Sequence, residues 1–296
     1  MNTVAKPFIK WAGGKSQILD NIRVKYPAEL GKTITKYAEP FVGGGAVLFD
    51  ILSRYSLEAV YISDINRELI ATYIAIRDHA DTLITFLSEI QDQYWQTDEE
   101  SRETYYYEKR KQFNKLKTEI GNEIDVPGLF IFLNRTCFNG LYRVNAKGLY
   151  NVPMGSYKKP TICDAENLLA ISACLKNVQI ICGDYHKSHD FIDNRTLAYF
   201  DPPYRPLSQT SSFTSYTQDG FGDNEQAELA RFIDELSNKG AFVIASNSDP
   251  KNTNADDNFF DSLYHKHTIS RIRANRMINS SSSGRGKINE LLIATY

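Results

Sequence analysis

Apolar positions along the chain fall into short β-branched runs, separated by longer stretches in which they recur every three or four residues. The runs "TKYAEPF" (35–41), "AVYISD" (59–64), "VQIICGD" (178–184), "TLAYFD" (196–201), "AFVIAS" (241–246), "HTISRI" (267–272) and "ELLIATY" (290–296) read as strands. Helical spacing marks 14–26, 45–55, 66–79, 164–176 and 224–239. In the last of these, Ala227, Leu229, Ala230, Ile233 and Leu236 lie close to one stripe. Strands alternating with helices predict an α/β fold with a doubly wound, mostly parallel, Rossmann-like sheet. The final two strands flank the Ser/Gly/Asn-rich "ANRMINSSSSGRGK", which suits an antiparallel hairpin at the sheet's end.

The strand rhythm breaks between about residues 80 and 177. The pattern there is helical and polar, then loop-like, and "FNGLYRVNAKGLYNVPMGSYKKP" reads as a hairpin with its flanks. The expected organisation is therefore a sheet-bearing domain, 1–79 and 178–296, interrupted by a largely helical insert, 80–177.

With 296 residues the chain has ample apolar content for a large core. Its four cysteines, Cys137, Cys163, Cys174 and Cys182, form no C-x-x-C pair. Neither a disulfide framework nor a zinc site is implied, no metal is expected, and reduced thiols fit a cytosolic protein. The N-terminus lacks a signal-peptide core, and no apolar run approaches the roughly 18 residues that span a bilayer. The expectation is a soluble intracellular protein without a membrane partner.

Net charge is only −2, but its distribution is uneven. Residues 126–163 contain no acid, yet carry Arg135, Arg143, Lys147, Lys158 and Lys159. Residues 262–289 again lack acids and carry Lys266, Arg271, Arg273, Arg276, Arg285 and Lys287, and "YYYEKRKQFNKLK" (105–117) mixes basic residues with aromatics. Basic stretches within a near-neutral total suggest a face built for a polyanion, and so nucleic acid.

Two motifs carry the chemistry. "EPFVGGGAVLFD" (39–50) follows the first strand and opens a helix, so its glycines admit a ligand close to the backbone. Its spacing is not G-x-G-x-x-G, because Leu48 stands three residues after Gly45. About twenty residues on, Asp64 ends the second strand, where a carboxylate accepts hydrogen bonds from ribose hydroxyls. An adenosine ligand without a pyrophosphate fits, and S-adenosylmethionine is one. The second motif is "YFDPPY" (199–204). An exocyclic amine on a base is a weak nucleophile because its lone pair is conjugated into the ring. Asp201 accepting one N–H and the Pro202 carbonyl the other favour a pyramidal nitrogen, and the two prolines stiffen that geometry. Tyr204 offers a face for the base to stack on. Near the N-terminus, "WAGGKSQ" (11–17) contains a Gly-Lys-Ser, but Ile9 stands where a P-loop needs its first glycine.

With these residues in place, the chain resembles the Dam-type DNA adenine-N6 methyltransferases, in the GATC-modifying branch that often accompanies restriction enzymes. "PFIKWAGGKSQIL", "EPFVGGGAVLF", "SDIN", "FNGLYRVN", "YNVPMGSYKKP", "GDY", "YFDPPYRPLSQTSSFTSY" and "GRGKINELL" occur in that family's order over nearly the whole length. The glycine loop precedes the insert and the Asp-Pro-Pro-Tyr comes last, which is the alpha-class order. The resemblance implies the seven-stranded methyltransferase sheet, S-adenosylmethionine as methyl donor, S-adenosylhomocysteine as product, and no metal. It implies that Trp11, Lys15, Phe41, Gly43, Gly45, Asp64, Asp184 and Asp201 serve the cofactor, with Lys15 near the methionine carboxylate. Asp201, Pro202 and Tyr204 are the implied catalytic residues. For Asp184 a plain strand-end cap is an equal reading.

By the same resemblance, 80–177 is the target-recognition domain and double-stranded GATC the partner, with no obligate protein partner. Arg143 is the candidate for bidentate contact with guanine. Phe138 and Asn139 stand where a side chain wedges beside a vacated base, and Leu141, Asn145, Pro153, Tyr157 and Lys158 complete the DNA-binding set. Segment 105–117 matches no family motif. The hydroxyl-rich loop after the Asp-Pro-Pro-Tyr, with Ser208 and Thr210, is expected to hold phosphates of the displaced strand. Prokaryotic cytoplasm or nucleoid is the implied location. Two other functions compete: adenine-N6 methylation of RNA, and a catalytically silent, sequence-specific DNA-binding protein.

Overall fold

The structure is a computed structural model and describes residues 4–205, 221–275 and 287–296. Every strand expected from the sequence forms: β1 (Lys36–Glu39), β2 (Ala59–Asp64), β3 (Val178–Cys182), β4 (Thr196–Phe200), β5 (Phe242–Ser248), β6 (Thr268–Asn275) and β7 (Lys287–Ala294). They make one seven-stranded sheet in the order β3-β2-β1-β4-β5-β7-β6. The β1–β2, β1–β4 and β4–β5 pairs are parallel, whereas β7 runs antiparallel to both β5 and β6. The fold is thus the mixed, mostly parallel α/β arrangement that the strand–helix alternation implies. β4 is buried at every position, which is why its sequence, Thr-Leu-Ala-Tyr-Phe, shows no alternation of apolar and polar residues.

The helices are α1 (Leu19–Arg23), α2 (Ala46–Arg54), α3 (Arg67–Asp78), α4 (Ala80–Gln96), α5 (Glu99–Leu116), α6 (Asp125–Thr136), α7 (Ala165–Leu175), α8 (Asp223–Asn238) and α9 (Phe259–Leu263). The boundaries have local causes. The Asn66 side chain accepts the Leu69 N–H at 2.9 Å and starts α3, while Glu225 reaches back to the Gly222 N–H at 2.8 Å and starts α8. The expected helix over 14–26 instead splits into a 3-10 turn, Lys15–Gln17, and the short α1, because Ile18 leaves the helical region at φ −113°, ψ 10°. α6 is apolar on nearly all sides and is buried accordingly. Its Gly128 is where Phe86 packs, so closely that a Cβ there would lie 2.3 Å from the ring.

The chain divides into two compact units. The first comprises Met1–Gly14, Gly43–Arg54 and Ser63–Gly183, and the second Lys15–Val42, Tyr55–Ile62 and Asp184–Tyr296. Residues 80–177 lie wholly within the first unit, together with α2, α3 and β3. The hairpin expected after α6 is present: Cys137 bridges Met154 and Val144 bridges Tyr150, both antiparallel.

Two of the basic runs prove partly internal. Arg135 donates to the Phe8 carbonyl at 2.7 Å, and burial pulls its guanidinium below its usual pKa. Arg271 is held between Asp249 and Asp261, with contacts of 2.9 and 2.7 Å. Neither is spare for a polyanion. Among the described residues, no helix is long and apolar enough to cross a membrane.

Candidate functional site

In the second unit, the sheet order reverses between β1 and β4, and the carboxyl ends of these neighbouring parallel strands are where α/β folds place ligands. β4 delivers Asp201 there. One carboxylate oxygen, Oδ2, lies 2.7 Å from the Lys15 ammonium, and Oδ1 accepts the Ser246 hydroxyl at 2.8 Å. Burial pushes the Asp201 pKa above the ordinary carboxylate range, while Lys15 and Ser246 pull it back. Ser246 sits on β5 and also shares a 3.0 Å hydrogen bond with the Tyr199 hydroxyl. Lys15 is only 4% exposed, and its ammonium stands 4.8 Å from the centre of the Tyr204 ring. The Tyr204 hydroxyl donates to Glu290 on β7 at 2.8 Å.

The Pro-Pro turn is braced from α8. Gln226 donates to the Pro203 carbonyl at 3.0 Å and accepts from Asn247 at 3.0 Å. Gln226, Ser246 and Asn247 are all buried, and sequence reasoning missed them, as it missed Glu290. A signal existed: β5 begins "FVIA" and ends in the polar "SNS", and a buried strand turning polar at its carboxyl end points to a site. Beyond the turn, Arg205 pairs with Asp223 and Asp257 at 2.6 and 2.7 Å. Ser208 and Thr210 lie outside the described residues.

After β1, Phe41 packs among Tyr185, Phe200 and Phe221, with ring centroids 5.5, 6.4 and 5.9 Å away. Asp184 is exposed, and its carboxylate accepts the His186 N–H at 2.9 Å, capping a 3-10 turn at Tyr185–Ser188. The capping half of the two readings of Asp184 is thus what its contacts display.

In the first unit, Gly43 and Gly45 open α2 with φ of 46° and 73°, the left-handed region that glycine adopts without strain. A Cβ on Gly43 would come within 2.7 Å of the Trp11 indole, and one on Gly45 within 2.6 Å of the Tyr73 hydroxyl. Gly43→Ala is therefore expected to destabilise the fold by about 1–3 kcal/mol, read as a lower urea midpoint. Asp64, at the end of β2, accepts the Gly43 N–H at 3.2 Å and the Asn66 N–H at 2.9 Å. Burial nevertheless raises its pKa to about 6. The carboxylate thus ties the strand end to the glycine turn.

The hairpin also belongs to the first unit. Phe138 is 51% exposed, and Asn139, at φ 56°, is the one non-glycine with positive φ among the described residues. Asparagine is one of the few non-glycine residues that adopt this left-handed region readily. Arg143 is exposed, and its Nε donates to the Asn151 side chain at 2.8 Å. The Asn145 carboxamide accepts from Lys147 and Leu149 N–H at 2.9 and 3.1 Å, so it shapes the hairpin turn. Leu141 is half-buried, and its carbonyl accepts the Tyr150 hydroxyl at 3.1 Å. Pro153 and Lys158 are exposed and Tyr157 is half-buried. The structure adds Lys10, whose ammonium donates to the Tyr157 hydroxyl at 3.1 Å. Asn134 fixes the Lys10 backbone at both its N–H and C=O, 2.9 and 2.8 Å, and so ties the N-terminal segment to the hairpin.

No group of three or more metal-ligating side chains occurs among the described residues. The second unit thus holds a half-buried, ion-paired carboxylate on a Pro-Pro turn beside an aromatic ring, and the first unit a glycine turn with its own carboxylate and a hairpin. A carboxylate so held can accept hydrogen bonds from an amine, and the glycine turn leaves room for a ligand against the backbone.

Comparison with known proteins agrees. Type II methyltransferase M.MjaIII of Methanocaldococcus jannaschii is 48% identical over 293 residues, covering 98% of this chain and 99% of that one. Type II methyltransferase M1.LlaDCHI of Lactococcus lactis subsp. cremoris is 36% identical over 98% of this chain and 95% of its own length. The DNA adenine methylase of Escherichia coli K12 is 34% identical over 97% of this chain and 94% of its own length. Residues 11–278 match the D12 class N6 adenine-specific DNA methyltransferase family. Near-complete coverage by these relatives and by that family makes the chain a member of the D12 class, Dam-type, and an adenine-specific DNA methyltransferase.

Proposed function

We propose that the enzyme transfers the methyl group of S-adenosylmethionine to N6 of an adenine flipped out of double-stranded GATC. The observation carrying this reading is Asp201, half-buried on the Asp-Pro-Pro-Tyr turn and held by Lys15 and Ser246. A carboxylate has about four lone-pair sites, so two partners leave it capacity for an N6–H. Lys15 favours the ionised, accepting form of the carboxyl, against the burial that raises its pKa. The Pro202 carbonyl takes the second N6–H, and the Gln226 brace on Pro203 supports that placement. Tyr204, fixed through Glu290, stacks on the base. When bound, S-adenosylmethionine supplies a methyl group on a positively charged sulfur, the electrophile. The protein's contribution is positioning and acceptor geometry.

For the cofactor, Trp11, Gly43, Gly45 and Asp64 of the first unit and Lys15, Phe41 and Asp184 of the second, with Asp201, are the proposed residues. The fit rests on an acceptor carboxylate at the end of β2 and on glycine backbone that a side chain would block. Asp64 gives a pH test. With its pKa near 6, the carboxyl takes up a proton below that pH and loses acceptor capacity for ribose hydroxyls. Affinity for S-adenosylmethionine by calorimetric titration should therefore hold above pH 7 and fall as pH drops through 6. In Asp64→Asn, affinity should be weaker and flat over the same range.

Residues 80–177 are the proposed target-recognition domain, with 1–79 and 178–296 as the catalytic domain. Within the former, Arg143 contacts guanine, and Phe138 and Asn139 fill the space the flipped adenine leaves. Leu141, Asn145, Pro153, Tyr157 and Lys158 line the same DNA face. Incubation with labelled S-adenosylmethionine and a GATC duplex, followed by digestion to nucleosides, tests the reaction. Label in N6-methyldeoxyadenosine is expected. Label appearing only with an RNA substrate would replace this reading with the RNA alternative.

A further inference from the structure

The aromatic–basic segment 105–117, which matches no family motif, forms the last two thirds of α5 and its C-cap, Lys117. We infer that α5 sets the register of the hairpin, and that Asn114 is a positioning residue through which Arg143 acquires its specificity. The inference rests on the proposal that the hairpin reads DNA. Tyr106, Arg110 and Asn114 recur every four residues and so share one helix face. All three bond the backbone of the hairpin's returning arm. The Tyr106 hydroxyl and the Arg110 guanidinium both donate to the Val152 carbonyl, at 2.9 and 3.1 Å. The Asn114 carboxamide donates to the Tyr150 carbonyl at 2.9 Å and accepts the Tyr150 N–H at 2.8 Å. It pairs with Tyr150 as a neighbouring strand would.

Extended backbone presents alternate residues to opposite sides. The backbone N–H and C=O of Tyr150 and the C=O of Val152 therefore point to α5, while the backbone N–H of Asn151 points to the other arm. There its N–H donates to the Arg143 carbonyl at 3.1 Å, and its side chain accepts from the Arg143 Nε at 2.8 Å. A slip of one residue would turn Asn151 towards α5 and remove the group that holds the guanidinium. The two-point grip of Asn114 opposes that slip. The hairpin arms are short and joined by isolated bridges, so they cannot fix their own register as a longer ladder would.

The test compares turnover on a GATC duplex with turnover on single-pair variants that keep the adenine. It uses the wild type, Asn114→Ala, Tyr106→Phe, Arg143→Ala and the Asn114→Ala/Arg143→Ala double variant. Asn114→Ala should lower discrimination against the altered guanine position by about tenfold, with kcat on GATC changed by less than about threefold. Tyr106→Phe, which keeps the buried ring and loses only the donor, should shift discrimination in the same direction by less. The double variant should discriminate no worse than Arg143→Ala alone, because the two act on one contact. Wild-type discrimination in Asn114→Ala would overturn the inference, as would a fall in GATC turnover with discrimination intact or simple additivity in the double variant. Wild-type discrimination in Arg143→Ala would instead remove the DNA-reading role of the hairpin, and the inference with it.

Discussion

Asp201→Asn is expected to lower the single-turnover rate of methyl transfer by about 10²–10³-fold at saturating cofactor and DNA. The substitution keeps size and shape but replaces an acceptor oxygen with an N–H donor. Lys15 holds one side of the group, so the amide oxygen turns towards the ammonium at the position of Oδ2. The amide nitrogen then occupies the Oδ1 side, beside the Ser246 hydroxyl, and presents donors where the adenine amine also presents donors. Fluorescence of a duplex carrying 2-aminopurine at the target should still report an unstacked base, because flipping does not draw on this carboxylate. A rate within threefold of the wild type would show that Asp201 is not the amine acceptor.

Lys15→Met should produce the other large effect, and its size depends on pH. Burial favours the protonated form of Asp201, and Lys15 provides the largest opposing influence. A carboxyl whose folded pKa is raised contributes stability at low pH that is lost as pH climbs through the folded value. Without Lys15 that folded value rises further. The variant should thus be close to wild-type stability in acid and lose up to about 3–5 kcal/mol at alkaline pH, where the buried charge is unpaired. Urea unfolding at pH 5 and pH 8.5 measures the difference. The acid limb of the transfer rate should move to higher pH for the same reason. A stability loss independent of pH would mean that the Lys15–Asp201 pair is not the source.

Much of the fold was legible because β2, β4 and the first half of β5 are buried runs dominated by apolar and aromatic residues. The Asp-Pro-Pro-Tyr was legible because its residues are adjacent in the chain. The partners of Asp201 were not. Ser246 meets Asp201 only because β5 pairs with β4 in register, and Glu290 reaches Tyr204 from β7, which enters the sheet antiparallel. Such contacts depend on strand order, which periodicity does not encode. Lys15, placed near the cofactor by the resemblance, also pairs with the protein's own Asp201, a contact that nothing in the sequence announces. Arg135 shows an error, in which a basic residue counted towards a charged face is used inside the first unit on Phe8. The short α9 was missed because five residues give too little periodicity to recognise.

The decisive measurement is methyl transfer from labelled S-adenosylmethionine to three duplexes: GATC, the scrambled GTAC, and GATC with its adenines replaced by 2-aminopurine. Label in the first alone is expected, since only that duplex has both the site and an N6 amine. Label in GATC and GTAC alike would keep the Asp201 chemistry and contradict the assigned site. Label in the 2-aminopurine duplex would contradict the target atom itself.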